Sequence, residues 1–172
     1  MRRRRAHLTN AGFTMIELVT VMILIGILAA VAIPRMDTIS FGERGFRDGV
    51  LGAISHARRV AVASRRFVCV TVTAGTGSGA TVAVTRDLGT DPETAAGVSC
   101  TQTVALPGSA SGCASNAVCA PGGVTLGGTP SIIIFDPLGR SISTTPGTTT
   151  SATVTISNQT SVTVAAETGY VQ

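Results

Sequence analysis

Residues 12–34 read GFTMIELVTVMILIGILAAVAIP, and the interpretation of the whole chain starts from this stretch. Between Phe13 and Ile33 the only charged residue is Glu17. As a helix, this run would extend about 32 Å, enough to cross a hydrocarbon core of about 30 Å. We therefore predict one apolar helix over 13–34 that spans a membrane.

The charges around this run give it an orientation. Four arginines precede it at positions 2–5, and they favour an N-terminus that stays in the cytoplasm while the rest of the chain faces the other side. From Phe13 onward the chain holds nine Arg against nine Asp and Glu, so it is neutral there. The excess positive charge therefore belongs to the first residues.

An ordinary secretory signal is the alternative interpretation of this segment, with cleavage near Ala29 and Ala30. Two features argue against it. Glu17 places a charge where a plain signal gains nothing from one, and the apolar run is longer than the usual core of a signal.

The stretch from Gly12 to Leu18, followed by the apolar run and Pro34, resembles the N-terminal motif of type IV pilins and type II secretion pseudopilins. The resemblance implies a leader over residues 1–12, which a prepilin peptidase removes between Gly12 and Phe13 before it methylates the new amino group of Phe13. It also implies two assembly residues. Glu17 would pair with the N-terminus of a neighbouring subunit, since a carboxylate in hydrocarbon needs a partner, and Pro34 would end or kink the first helical stretch.

The remainder, 35–172, is predicted to be one globular domain on the periplasmic side. Apolar residues recur at helical spacing between Thr38 and Ser64, which predicts an amphipathic helix within 35–65. Short β-branched runs separated by turn residues fill 66–172 and predict an antiparallel sheet. The expected fold class is α+β: one long N-terminal helix, half transmembrane and half amphipathic, packed on antiparallel β-structure. We expect a β-turn at Asp136–Gly139.

Four cysteines lie beyond the apolar run, and none shows the C-x-x-C spacing of a zinc or thioredoxin-like site. We interpret them as disulfides formed in an oxidising compartment. Four cysteines permit three pairings, and sequence alone does not choose among them. Proximity favours Cys113 with Cys119, which leaves Cys69 with Cys100.

Three further stretches resemble the GspH/FimT family of minor pilins and pseudopilins: Ala57–Val72, Ile134–Arg140 and Thr168–Val171. The resemblance implies a subunit of a type IV pilus or secretion pseudopilus that acts at filament initiation or at the tip. Its partners would be other pilins or pseudopilins, the prepilin peptidase and the inner-membrane assembly platform. Its location would be the inner membrane, as a single-pass protein, and then the filament.

Catalysis is not expected. The sequence has no Lys, and His56 is the only histidine after the leader, so Schiff-base, P-loop and most histidine-based chemistry lack their residues. The glycine-rich run Gly75–Gly79 lacks the Lys-Ser/Thr of a phosphate loop and is interpreted as a hairpin loop. We predict no enzyme activity, no metal and no cofactor.

DNA uptake is the alternative function, because some FimT-type pilins bind DNA through a C-terminal Gly-Arg-x-Arg motif. Here Gly169 is followed by Tyr170, and Gly139-Arg140 by Ser141, so the motif is missing. A neutral chain with one Tyr and no Trp also offers little for phosphates or bases. The candidate DNA contacts are the arginines at the end of the amphipathic helix: Arg58, Arg59, Arg65 and Arg66.

Overall fold

A computed structural model describes residues 13–32, 38–89, 98–108, 112–143 and 148–172. The predicted leader with Gly12, and the predicted helix-ending Pro34, lie outside these ranges. The chain divides into two compact units, Met1–Asp37 and Thr38–Gln172, and each is described by itself.

The described part of the first unit is the helix α1, Met15–Ala32. Thr14 precedes it as the N-cap: its carbonyl oxygen accepts from the Glu17 and Leu18 N–H groups at 3.1 and 3.2 Å, and its Oγ1 lies 3.3 Å from the Glu17 nitrogen. No helix within the described residues is both long and apolar enough to cross a membrane. The helix predicted over 13–34 extends past Ala32, the last described residue of α1.

The second unit begins with α2, Thr38–Ser64, the helix bounds that the apolar spacing predicts. Its buried stripe is Phe46, Val50, Ile54, Ala57 and Ala61, each at most 4% exposed. The helix ends in a Schellman arrangement, in which the Arg66 N–H donates to the Ala61 carbonyl at 3.2 Å and Arg65 takes φ 52°.

The strands of the described residues are β1 Val68–Thr73, β2 Gly75–Thr76, β3 Thr81–Asp87, β4 Cys100–Thr103, β5 Ala117–Cys119, β6 Thr125–Thr129, β7 Ile132–Phe135, β8 Ser141–Ile142, β9 Ala152–Ile156 and β10 Val162–Val164. They form two antiparallel sheets. The first has the order β4-β3-β1-β7-β8, with β5 also paired to β3, and the second has the order β10-β9-β6-β2.

The core lies between the α2 stripe and the inward faces of both sheets. Alternate β1 residues Val68, Val70 and Val72 are at most 4% exposed, as the period of two in a strand requires. The opposite face of the first sheet carries a small second cluster of Phe67, Cys69, Ile134 and Ile142. The α+β prediction, with a helix packed on antiparallel sheets, is confirmed.

The β-branched runs of the sequence do not predict three short strands, β2, β5 and β8. Each has only two or three residues, so each is defined by its pairing partner rather than by its own alternation. The Gly75–Gly79 run does connect the antiparallel strands β1 and β3, as a hairpin loop would. It also contributes Gly75 and Thr76 to the second sheet, opposite Leu126 and Thr125.

Candidate assembly helix and arginine cleft

Two of the predicted N-terminal residues are described: Phe13, the predicted processing site, which lies just before α1, and Glu17, a predicted assembly residue within it. Phe13 is 82% exposed, and Glu17 lies in the first helical turn, where the helix dipole favours a negative charge. In the described parts of the chain, the Glu17 carboxylate forms no ion pair. An unpaired acid at the head of an apolar helix is free to take a partner from another molecule.

The surface of α1 is apolar on all sides. Met22, Ile25 and Leu28 are 65%, 60% and 69% exposed, and other large apolar side chains of the helix are exposed to a similar degree. A helix that is hydrophobic all round is normally covered, and a large exposed apolar surface marks an interaction site. The apolar surface of α1 is therefore a candidate interaction surface.

The four candidate DNA-contacting arginines do not share one environment. Arg58 is half-buried, and its Nε donates to the Gly139 carbonyl at 3.2 Å. The Arg66 guanidinium instead donates to the Gly89 carbonyl. Arg59 and Arg65 are exposed, the first on the helix and the second just beyond its end. The group therefore does not form a continuous basic track.

The three stretches that resemble the GspH/FimT family meet at Arg58. Its Nε bonds to Gly139 of the second stretch, and Gly169 of the third lies against both residues. A Cβ added to Gly169 would stand 2.0 Å from the Gly139 oxygen and 3.2 Å from the Arg58 Nε. Only glycine allows this approach. The motifs are thus linked by one contact between the helix, the β7–β8 turn and the C-terminal segment.

Asp136 organises that turn. Its Oδ1 accepts from the Leu138 and Arg140 N–H groups at 3.0 and 2.8 Å, and its Oδ2 pairs with the Arg140 Nε at 2.7 Å. The Gly139 N–H closes the predicted β-turn on the Asp136 carbonyl at 2.9 Å. Asp136 is 4% exposed, so its charge is buried but fully paired. The turn holds the Gly139 carbonyl in place for Arg58.

Beside this contact lies a cleft of about 230 Å³, which we call the arginine cleft. It is lined by Ser55, Arg58, Arg59, Gly169, Tyr170 and Val171. Tyr170 is 61% exposed, and none of the described residues that line the cleft is acidic. The cleft thus combines two guanidinium groups with a hydroxyl and a phenol, all donors suited to an anionic group.

The disulfides are Cys69–Cys100 and Cys113–Cys119, the pairing that proximity in the sequence favours. The first joins β1 to the start of β4 across the end of β3, since the two strands lie on either side of β3. The second closes a short loop that ends in β5. Both constrain the edge of the first sheet that lies away from β7 and β8.

Glu43 is a structural residue that the sequence analysis did not identify. It is 3% exposed on α2, and its Oε1 accepts from the Ser157 Oγ at 3.2 Å and the Asn158 Nδ2 at 3.0 Å. These bonds fasten the first half of α2 to the loop between β9 and β10. The signal was present, because Glu43 stands three residues before Phe46 and therefore on the buried stripe.

Among the described residues there is no cluster of His, Cys, Asp and Glu able to hold a metal ion. His56 is half-buried on α2.

No protein-family model matches the sequence, and no curated protein is significantly similar to it. Among solved structures, the chain is similar to the type IV minor pilin FimU of Pseudomonas aeruginosa in two crystal forms. The TM-scores are 0.45 and 0.42 and the sequence identities 15% and 16%. Each similarity covers 75% of this chain, and 90% and 85% of the FimU chains.

Proposed function

We propose that this chain is a minor pilin or pseudopilin, a structural subunit that enters a filament through α1. The observation that carries the proposal is the N-terminal segment: a Gly12-Phe13 junction, a glutamate at position 17 and a helix exposed on every side. A globular unit with its own core follows this helix, as a subunit displayed on a filament requires. The same proposal assigns a structural role and no catalysis.

In this proposal the α1 helices of successive subunits cover one another. Each supplies the apolar surface that its neighbour needs, and Glu17 takes the N-terminal amine of an adjacent Phe13 as its partner. Burial of an unpaired carboxylate costs roughly 2.5 to 3.5 kcal/mol even on lenient insertion scales, so the pairing also selects the register of assembly. We further propose a position at filament initiation or at the tip, on the basis of the GspH/FimT resemblance.

Before assembly, we place the chain at the inner membrane with the second unit on the periplasmic side. This part rests on sequence alone, namely the four arginines before the run and the apolar residues that flank α1. Extraction of membranes with alkaline carbonate tests it. A chain retained in the pellet agrees with the proposal, and complete release into the supernatant contradicts it.

Processing is the first test of the function itself. The full chain is expressed with and without a prepilin peptidase, and intact mass and N-terminal sequencing identify the product. We expect a product that begins at N-methylated Phe13 only when the peptidase is present. Cleavage near Ala30, or no cleavage, would contradict the pilin interpretation.

Assembly is the second test. Glu17→Gln keeps the size of the side chain and removes its charge, so we expect normal processing and loss of incorporation into filaments. Glu167→Gln is the matched control, because Glu167 is an exposed carboxylate in the second unit. Filament incorporation by Glu17→Gln at the level of the control would remove the proposed pairing.

A further inference from the structure

We propose that the arginine cleft binds a carboxylate on a neighbouring filament subunit, through Arg58 and Arg59. This inference rests on the proposed filament role and assigns a contact in the second unit, separate from the α1 contacts. The partner group is an acidic side chain presented to the cleft formed by α2 and the C-terminal segment.

The first argument is charge. Among the described residues, two arginines line the cleft and no acidic side chain does. The nearby Asp136 carboxylate is already bound by Arg140 and two backbone N–H groups. Within the described parts of the chain, Arg59 has no hydrogen-bond or ion-pair partner. Among the described residues, no carboxylate compensates the positive charge of Arg59 in the cleft.

The second argument is preorganisation. The Arg58 Nε is fixed by the Gly139 carbonyl, which the Asp136 turn holds in turn. A guanidinium anchored through Nε still has donors at its two terminal nitrogens, and such a fixed fork matches the two oxygens of a carboxylate. Less side-chain entropy is lost on binding when the donor is already oriented.

The third argument is shape, which favours a single carboxylate over a nucleic-acid strand. A cleft of about 230 Å³ admits one side-chain-sized group. A strand of DNA presents a row of phosphates and needs a basic track, whereas Arg66 is directed to the Gly89 carbonyl and Arg65 lies beyond the helix end. Tyr170 and Ser55 add hydroxyl groups that can bond to carboxylate oxygens.

The test uses the mature chain in detergent micelles, with NMR detection of the arginine Nε–H groups. The probes are N-acetyl-glutamate amide, its glutamine counterpart as the neutral control, and a single-stranded oligonucleotide. We expect the Arg58 and Arg59 signals to shift and saturate with the glutamate probe and to stay unchanged with the glutamine probe. Arg59→Gln should weaken glutamate binding by about tenfold or more.

Arg44→Gln is the matched variant, since Arg44 is an exposed arginine of the same helix about 22 Å away along its axis. It should leave glutamate binding unchanged. Equal shifts with both amides, or equal weakening by Arg44→Gln and Arg59→Gln, would overturn the proposal. Tighter binding of the oligonucleotide through the same two signals would also overturn it, in favour of DNA.

A second measurement is incorporation of Arg59→Glu into filaments. We expect normal leader removal and at least a severalfold loss of incorporation, with Arg44→Glu near the wild-type level. Normal incorporation of Arg59→Glu would reject the cleft contact and leave the filament role standing. Failure of Phe13 processing in the wild-type chain would instead reject the filament role itself.

Discussion

Arg65 follows the last residue of α2 in the left-handed region of backbone space, with φ 52°. A side chain in this region costs roughly 1 to 2 kcal/mol, and glycine avoids that cost. We expect Arg65→Gly to raise the free energy of unfolding of the Thr38–Gln172 segment by about 1 kcal/mol in urea titrations. Arg65→Ala removes the same charge but keeps the strain, so it should give no gain; equal gains from both variants would contradict this explanation.

Gly169 is restricted by its neighbours as well as by its backbone, with φ 58° and the Gly139 oxygen where a Cβ would stand. Gly169→Ala must therefore displace the contact at Arg58, and we expect a loss of about 2 kcal/mol or more in unfolding free energy. Gly77→Ala is the control, because Gly77 has φ 69° and open space around it. Its loss should stay near 1 kcal/mol, and urea titration of both variants measures the difference.

Single residues show how far sequence reasoning reaches. The chemistry of Asp136 and Gly139 as turn residues follows from local preferences, and the structure confirms that turn. The contact between Gly139 and Gly169 does not, since it joins residues from two turns that nothing in the sequence brings together. For Glu43, helical spacing is enough to predict a position on the buried stripe. Nothing in the sequence predicts its hydrogen-bond partners Ser157 and Asn158.

The glycines along α2 differ in how much space surrounds them. A Cβ at Gly45 or Gly52 would meet nothing within 4 Å, whereas one at Gly49 would stand 3.2 Å from the Val118 Cγ1 of β5. Glycine in an exposed helix interior is less favourable than alanine by about 0.8–1.0 kcal/mol. We therefore expect Gly45→Ala and Gly52→Ala each to stabilise the unit by up to about 1 kcal/mol.

Gly49→Ala has the same helix propensity gain, but Val118 must move to make room for the methyl group. Its gain in unfolding free energy should be smaller than that of the other two variants, or turn into a loss. Urea unfolding of the three variants, followed by circular dichroism, decides this. A gain for Gly49→Ala equal to that for Gly52→Ala would show that the approach of β5 to α2 does not depend on glycine.

Elements were predictable in proportion to their length. The bounds of α2 follow from apolar residues repeated over several turns, and longer strands such as β1 and β9 follow from their β-branched runs. The two-residue strands had no period to detect. The pairing of β2 with β6, which places one short segment in the second sheet, is a property of the tertiary fold alone.

For the whole molecule, the sequence predicted the α+β class with an N-terminal helix that begins with an apolar stretch, but not the division into two sheets. The arginine cleft is lined by α2 and the C-terminal segment, about 110 residues apart in the chain, and the β7–β8 turn contacts Arg58 beside it. Each part carries a recognisable motif, and only the fold reveals that the motifs meet. The proposed filament role therefore rests on the N-terminal motif, whereas the cleft can be found only from the three-dimensional structure.

The two disulfides give the last prediction, because they close loops of very different length. Their sequence separations are 31 residues for Cys69–Cys100 and 6 residues for Cys113–Cys119. Loop-closure entropy then assigns about 3.5 to 4 kcal/mol to the first and about 2 kcal/mol to the second. Cys69 is also 6% exposed and packs with Phe67 and Ile134, so its removal takes away buried contacts.

We expect the Cys69→Ala/Cys100→Ala variant to lose clearly more unfolding free energy than Cys113→Ala/Cys119→Ala in urea titrations of the Thr38–Gln172 segment. Reduction of the wild-type segment with dithiothreitol is the control, because it opens both loops without removing side chains. We expect this reduction to lower the unfolding free energy by at least about 3.5 kcal/mol, the loop-closure contribution of Cys69–Cys100. Equal losses from the two double variants would mean that the longer disulfide, which ties β1 to β4 across β3, does not restrict the unfolded chain as its separation requires.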